Sequence, residues 1–341
     1  MKYIVWFSWW TDSVFVAWSL KQAWHKVLLV NLKNTKEKNK CCSLPTELIK
    51  ISTFLDIPLK IIDATEKFKK FVIQNFIENY TKWNTPNPCI NCNENVRFQI
   101  LEEIRKDLNY DFVSTGHYVE KIKVNDFFTF AIPDDLNKDQ TYMLYRLLKY
   151  QNIVKHLDFP IAKYKKEKVK KIINEQNIPI NTEKESQNIC FIPDDDYPRF
   201  IKQNKNIQFP IWKILDTKWN YLWEHKWLIN YTIWQRKWLN LKSNEKKFVI
   251  DIDWENNILI IWNNEELYKT TVKVDNLILM NYKWKIYWKI RYKAPLTEVI
   301  NIQNNEIKFK KPVRAITKGQ HLVLYWKKNW KKFIIWWGMI I

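Results

Sequence analysis

Three stretches of this sequence carry residues able to do chemistry. The first is "YIVWFSWWTDSVFVAW" (Tyr3–Trp18), which reads as a buried strand, a turn and a helix. Its turn holds Ser8, Thr11, Asp12 and Ser13, the hydroxyls and carboxylate of a phosphate-binding loop. Such a loop also needs backbone N–H groups turned inward ahead of a helix N-terminus. Yet Trp6, Phe7, Trp9 and Trp10 share the stretch, and indoles stand where a cradle needs glycine. The second is "TPNPCINCNENVRF" (85–98). Pro86 and Pro88 set an extended, rigid lead-in. Cys89 and Cys92 follow, with Asn93 and Glu94 predicted to start a helix, a position that favours the thiolate form of a nearby cysteine. A metal site is the competing reading, since Cys41-Cys42 with Cys89-x-x-Cys92 offer four thiolates. Adjacent cysteines are poor paired ligands, however, and a single CxxC is a weak signal. The third is "KESQNICFIP" (184–193), where Cys190, taken alone, reads as a buried structural cysteine.

The glycine and tryptophan counts bear on the first stretch. The chain has 3 glycines and 20 tryptophans. Average usage of ~7% would give about 24 glycines at this length, and the two counts together come close to that. Position agrees with number. Trp219 in "TKWNY" and Trp262 in "IIWNNE" sit in polar turns where positive φ is expected. Trp24 lies between a helix and a strand, at the place of a glycine C-cap. The implication is a codon decoded as glycine in the source organism and written here as tryptophan. The competing reading is a truly tryptophan-rich protein, which would carry an indole at many exposed turns.

The elements that must position these residues follow from periodicity. The chain has 341 residues, 46% of them hydrophobic, with 56 basic against 36 acidic residues and a net charge of +20. That balance points to a polyanion, above all nucleic acid, although A+T-rich coding also favours lysine. No run approaches the ~20 apolar residues of a membrane span, and no cleavable leader is evident. Five cysteines in a long chain fit a reducing cytoplasm better than a disulfide framework. Strands are predicted at 2–7, 26–32, 59–64 and 111–118. Helices are predicted from Ser13, over 44–57, 66–82 and 93–108, and near 140–157 and 165–177. The alternation argues for an α/β domain with a parallel sheet. Residues 121–132 read as a hairpin insertion. From about residue 208 short strands recur every ten or so residues, which predicts an all-β half of one or two small barrels. The expected domains are 1–206, 207–268 and 269–341, with a seam near 206–212.

With glycine restored, residues 6–13 resemble the loop of the PP-loop ATP pyrophosphatases, and no Walker-type Gly-Lys-Ser/Thr occurs. The whole chain is similar to the bacterial tRNA-specific 2-thiouridylase family. The likeness rests on that loop, "TPNPCINCN", "STGHY" (114–118), "NKDQTYMLYRL" (137–147), "SQNICFI" (186–192), "EHKWLINYTIWQRKWL" (224–239), "KIRYKAPL" (289–296) and the terminal "WWGMII". Glycines of the family stand as tryptophans at 234, 238, 336 and 337, while Gly116 and Gly338 are kept. The resemblance implies an adenine nucleotide alpha hydrolase-like PP-loop domain, a small central β-rich domain and a C-terminal β-barrel. It implies ATP binding by Trp6, Phe7, Ser8, Trp9, Trp10, Thr11, Asp12, Ser13, Leu32 and Gly116, with Mg²⁺ aided by Asp12 and no tightly bound metal. Asn87, Pro88 and Cys89 would lie against the target base. Lys138, Asp139, Gln140, Arg291 and Tyr292 would contact tRNA of the Lys, Glu and Gln types. Cys92 would be the nucleophile, and Cys190 would carry a persulfide delivered by a cysteine desulfurase or sulfur-relay protein.

The implied reaction is ATP-dependent 2-thiolation of the wobble uridine, with a Cys92–Cys190 disulfide as one possible product of sulfur release. Three departures stand out. Cys89 replaces a common Asp, Val14 a common Ser, and Glu185 a common Asp. Residue by residue, plainer readings compete: Asp139 as a helix cap, Arg291 and Tyr292 as a strand edge and a core ring, and His117 as a satisfied core histidine. If the indoles at 9 and 10 are real, the expectation changes to a tRNA-binding protein without catalysis. A metal-cluster thiolase using Cys89 and Cys92 is the third reading.

Overall fold

Parallel pairing of buried, β-branched runs organises the N-terminal part of the chain. The computed structural model describes residues 1–8, 10–35, 45–81, 84, 86–183, 189–204, 212–225, 228–231, 233, 235–236, 247–253, 256–275, 285–328 and 330–341. Trp9, Cys41, Cys42, Glu185, Trp234, Trp238 and the expected seam at 206–211 lie outside them. Two units separate by contacts. One is Met1–Phe76 with Asn87–Asp195 and Tyr325–Ile335. The other is Ile77–Pro86 with Asp196–Leu324 and Trp336–Ile341.

In the first unit β1 (Lys2–Trp6), α1 (Thr11–Gln22), β2 (Lys26–Lys33), α2 (Pro45–Leu55) and β3 (Leu59–Asp63) alternate. Parallel strands need a crossover, and the helices supply it. Two helical stretches follow. The first is α3 (Thr65–Phe68), a π-turn at Lys69–Ile73 and α4 (Gln74–Thr81), whose residues from Ile77 on belong to the second unit. The second is α5 (Pro88–Cys92), a π-turn at Asn93–Arg97 and α6 (Phe98–Asp107). Next come β4 (Phe112–Ser114) and the antiparallel hairpin β5 (Glu120–Val124) and β6 (Phe127–Ala131), as its sequence predicts. Then follow α7 (Thr141–Leu144), α8 (Gln151–Val154), β7 (Leu157–Asp158) and α9 (Lys166–Glu175). The sheet order is β3-β2-β1-β4-β7, all parallel. The chain therefore reverses direction across the sheet between β1 and β4. Its core packs Val14, Phe15, Val16 and Leu20 of α1 against Val169 and Ile173 of α9, all at most 5% exposed.

Two expectations are corrected here. The predicted helix near 140–157 is broken into short pieces. Gln151 bonds both backbone groups of Phe128, accepting at 2.8 Å and donating at 3.0 Å, and Val113 pairs with Leu157 to add a strand to the sheet. These tertiary bonds outweigh local helical preference. The helix expected from residue 93 begins at Pro88 instead. Asn87 caps it, its side chain accepting from the Cys89 N–H at 3.1 Å, and Pro88 lacks the N–H that a first helical position leaves unused.

The second unit is β-rich. After α10 (Tyr197–Asn204) come β8 (Trp212–Leu215), β9 (Tyr221–His225), β10 (Phe248–Asp253) and β11 (Ile258–Trp262), in the order β10-β11-β8-β9. Ile214, Val249, Leu259 and Ile261, all fully buried, form its small core. The remaining strands are β12 (Tyr268–Lys273), β13 (Ile286–Lys289), β14 (Thr297–Gln303), β15 (Glu306–Arg314), β16 (His321–Lys328) and β17 (Lys331–Met339). Within this unit β12, β15, β14 and β13 pair antiparallel, with Trp288 stacked on Phe309 at 3.8 Å. Residues 325–335 belong to the first unit, where Phe333 pairs with Ala131. No helix among the described residues is long and apolar enough to cross a membrane.

The tryptophans at two predicted glycine turns adopt glycine conformations. Trp24 has φ +60° and is 95% exposed; Trp219 has φ +67°. Around Trp24 the N–H bonds Lys21 O at 2.9 Å and the His25 N–H bonds Leu20 O at 3.1 Å, the paired closure that ends a helix on a left-handed residue. Trp262 differs, ending β11 as an ordinary strand residue. A left-handed L-residue costs ~1–2 kcal/mol. In protein containing tryptophan at position 24, Trp24→Gly is therefore expected to raise unfolding stability by about 1 kcal/mol in denaturant titration. An unchanged or lower midpoint would contradict that reading of the turn.

Candidate active site

The turn after β1 lies where the strand order reverses, at the carboxyl ends of β1 and β4. Open parallel sheets place their ligands in that crevice. Phe7 is locked in line with β2: its N–H donates to Val30 O at 2.8 Å, and the Asn31 side chain donates to Phe7 O at 2.7 Å. Ser8 and Ser13 are both buried, and their hydroxyls lie 3.2 Å apart. Ser13 Oγ also accepts from the Ser8 N–H at 3.2 Å and donates to Trp10 O at 3.0 Å. No side chain caps α1, so its first-turn N–H groups stay available. Leu32 is buried on β2, next to the loop's strand.

Gly116 closes the other wall. A Cβ built there would meet Asp12 Cβ and Ser13 N, both at 2.8 Å. Any side chain would drive β4 away from the start of α1, so glycine here is a requirement of close approach. Sequence reasoning singled out Gly116, Ser8, Asp12 and Ser13, and the structure brings them together. It did not find Lys166 or Tyr118. Lys166 Nζ lies 2.6 Å from Asp12 Oδ1, and Tyr118 OH donates to the same oxygen at 3.1 Å. Among so many lysines nothing local marks Lys166; only the fold brings it 154 residues back to the loop.

The thiols sit on a common scaffold. Cys92 is buried and Cys89 exposed, and both are inside the capped helix rather than before it. Cys89, in the first turn, lies nearest the helix N-terminus. Cys190 is half-buried. Its neighbour Phe191 packs edge-on against Phe68 at 5.7 Å and Phe76 at 5.4 Å. Pro88–Cys92 packs on Lys69–Ile73 of that same helix, and the Asn91 side chain donates to Asn75. One helical stretch thus carries both cysteine segments, 98 residues apart in sequence. The residues after Cys92 are pinned in turn. Glu94, 3% exposed, pairs with Arg146 at 2.9 Å and with Lys149. Arg146 also donates to Asn91 at 2.8 Å, and Asn93 to Met143 O at 3.0 Å. The π-turn at 93–97 is of a kind that recurs at functional sites.

The other expected residues are dispersed. Lys138 and Gln140 are half-buried. Gln140 clamps Tyr118, accepting from its N–H at 2.9 Å while donating its own N–H to Tyr118 O at 3.1 Å. Asp139 is 4% exposed, and Oδ1 takes both the N–H and the hydroxyl of Thr141, so its carboxylate fixes the start of α7. In the second unit, Arg291 and Tyr292 lie in the turn after β13, not on a strand. Arg291 donates to Arg314 O at 3.0 Å, and Lys289 lies over the Tyr292 ring.

His117 is a buried, neutral residue. Its Nδ1 lies 2.8 Å from Thr115 Oγ1. Burial, helped by the Arg97 charge, pushes its pKa down to about 3. Unfolding releases it to about 6.5, so the unfolded chain binds the extra proton. The stability this group contributes is complete above about pH 7 and is lost as pH falls toward 3. Urea titrations between pH 7 and 4 are expected to show a shallower fall in midpoint for His117→Gln than for the parent; equal slopes would refute it.

A family model described as "tRNA methyl transferase HUP domain" matches residues 1–194. Those described as "tRNA methyl transferase PRC-barrel domain" and "Aminomethyltransferase beta-barrel domain" match 200–263 and 272–329. The chain is 34% identical over 339 residues to "tRNA-specific 2-thiouridylase MnmA 1" of Clostridium tetani, covering 95% of this chain and 93% of that protein. It is 35% identical over 335 residues to the like-named protein of Caldanaerobacter subterraneus subsp. tengcongensis, covering 92% of each.

Proposed function

Because the chain belongs to the tRNA-specific 2-thiouridylase family, we propose that it activates the 2-position of the wobble uridine of tRNA with ATP and replaces that oxygen with sulfur. The observation that carries this reading is the joint presence, in one unit, of a hydroxyl-lined turn at the sheet's reversal point and two thiol-bearing segments on one helical scaffold. The thiols favour thiolation over the methyl transfer in the family model's description.

The chemistry demands both parts. A uracil carbonyl is a poor electrophile because its oxygen leaves badly. ATP supplies an adenylyl group that turns O2 into a good leaving group, and pyrophosphate departs. The loop residues 6–13, with Leu32 and Gly116, would hold the nucleotide. Their fit rests on the uncapped α1 N-terminus and on the close approach that Gly116 allows. Asp12 would help hold Mg²⁺. Asn87, Pro88 and Cys89 would face the extruded base, since a base in its anticodon stack is out of reach. Lys138, Gln140, Arg291 and Tyr292 would contact tRNA of the Lys, Glu and Gln types, and Asp139 would act by shaping the segment that carries its neighbours. Cys190 would receive sulfur as a persulfide from a cysteine desulfurase or relay protein, in the cytoplasm. Attack of Cys92 on that persulfide would release sulfide and leave a Cys92–Cys190 disulfide. Direct attack of the persulfide on C2 is the other order.

This reading requires glycine at positions 6, 9 and 10 in the native protein. The glycine-type turns at Trp24 and Trp219 support such decoding. Peptide mass spectrometry of the tryptic fragment Tyr3–Lys21 is expected to return a mass with glycine at those three positions. Tryptophan there would replace catalysis with tRNA binding alone. In native protein, Cys92→Ala and Cys190→Ala should each lower 2-thiouridine formation at least 100-fold with salt-sensitive tRNA binding kept; full activity in either would sink the sulfur-transfer scheme.

A further inference from the structure

The Lys166–Asp12 pair is left unexplained by the family reading. Lys166 opens α9, and its position there is fixed twice. Its N–H donates to Asp135 Oδ2 at 2.8 Å, and α9 packs along α1. The residue is 6% exposed, yet its ammonium ends on Asp12, in the first turn of α1, at 2.6 Å. Burying an ammonium is costly even when paired, and an apolar side chain of similar volume usually serves stability as well or better. The pair therefore calls for a purpose other than stability.

Its geometry supplies one. Lys166 and Tyr118 both act on Asp12 Oδ1, at 2.6 and 3.1 Å. Among the described residues Oδ2 has no hydrogen-bond partner. A carboxylate beside a phosphate site repels the phosphates unless its charge is offset, and the buried cation offsets it without occupying the mouth of the loop. We propose that Lys166 is a positioning residue for the nucleotide step: with Tyr118 it holds Asp12 through Oδ1, neutralises its repulsion of the phosphate chain, and leaves Oδ2 for the magnesium ion that accompanies ATP. The proposal rests on the functional reading above. It adds to that reading a residue that acts through Asp12.

The test is a double-mutant cycle on native protein, read first by calorimetric binding of ATP with Mg²⁺, without tRNA or sulfur donor. Lys166→Met and Asp12→Asn are each expected to weaken binding about tenfold, and the double variant to be no weaker than the worse single one. Lys166→Arg, which keeps the cation, should stay within about threefold of native, and tRNA affinity should be unchanged throughout. It is also the safeguard against a Lys166→Met chain that fails to fold: loss of ATP binding by folded Lys166→Arg as deep as that of Asp12→Asn would overturn the proposal. Losses that multiply in the double variant would overturn it too, as would a Lys166→Met protein that binds ATP like the native one. Pyrophosphate release in the presence of tRNA, run in parallel, should fall with the same non-additivity. Absence of thiolation in a native protein that binds ATP would overturn the functional reading, while additivity would overturn only the role of Lys166.

Discussion

The structure depends on a turn that must be tight on both sides. Between β1 and α1 the chain has to leave a buried strand and enter a buried helix within a few residues. On one side Asn31 and Val30 of β2 hold Phe7 in register. On the other, Gly116 lets the bend after β4 come so close to Asp12 and Ser13 that a single added carbon would collide with both. Ser8 and Ser13, bonded to each other in the middle, have little freedom to move. This closeness leaves the first N–H groups of α1 beside a wall of backbone, where an anion can be held. It is also why bulky residues at positions 9 and 10 conflict with the family's chemistry.

The first unit also carries a scaffold of helices. Within that unit, residues 65–76 form the helical stretch against which Phe191 and the segment Pro88–Cys92 both rest. Glu94, Arg146 and Asn93 then tie the far side of the cysteine helix to residues 143–149. A buried carboxylate with two cations is costly to assemble, and breaking one partner leaves the others unpaired. It therefore fixes one arrangement of the helix. Sulfur transfer needs that kind of constraint, since a thiol must meet its target within bonding distance and the two cysteines are far apart along the chain.

Some of the architecture was legible because its physics is local. The runs Lys2–Phe7 and Lys26–Leu32 are apolar on both faces, which only a covered parallel sheet tolerates. The hairpin at 120–131 is closed by Asn125 and Asp126, with Asn125 at φ +52°. The glycine-like turns at Trp24 and Trp219 were visible in the polar residues and helix end around them. Misreadings arose where tertiary bonds overruled local preference. Residues 140–157 have helical spacing, but Gln151 and Leu157 are recruited by a hairpin and a sheet edge. Asn87-Pro88 is a helix start that the run of prolines disguised as an extended lead-in.

The sequence by itself determined which chemical groups this protein has. It carries the serines and aspartate of the loop, the cysteines, the glycine at 116, and enough family likeness to propose what they are for. Those are matters of residue type and spacing, carried within a few turns of chain. Only the tertiary structure decided which of them act together. It buried Asp139 as the anchor of α7, held His117 neutral, placed Cys89 and Cys92 inside one helix, and brought Lys166 onto Asp12. Each outcome depends on desolvation and on contacts between residues distant in the chain, and neither quantity exists until the chain has folded.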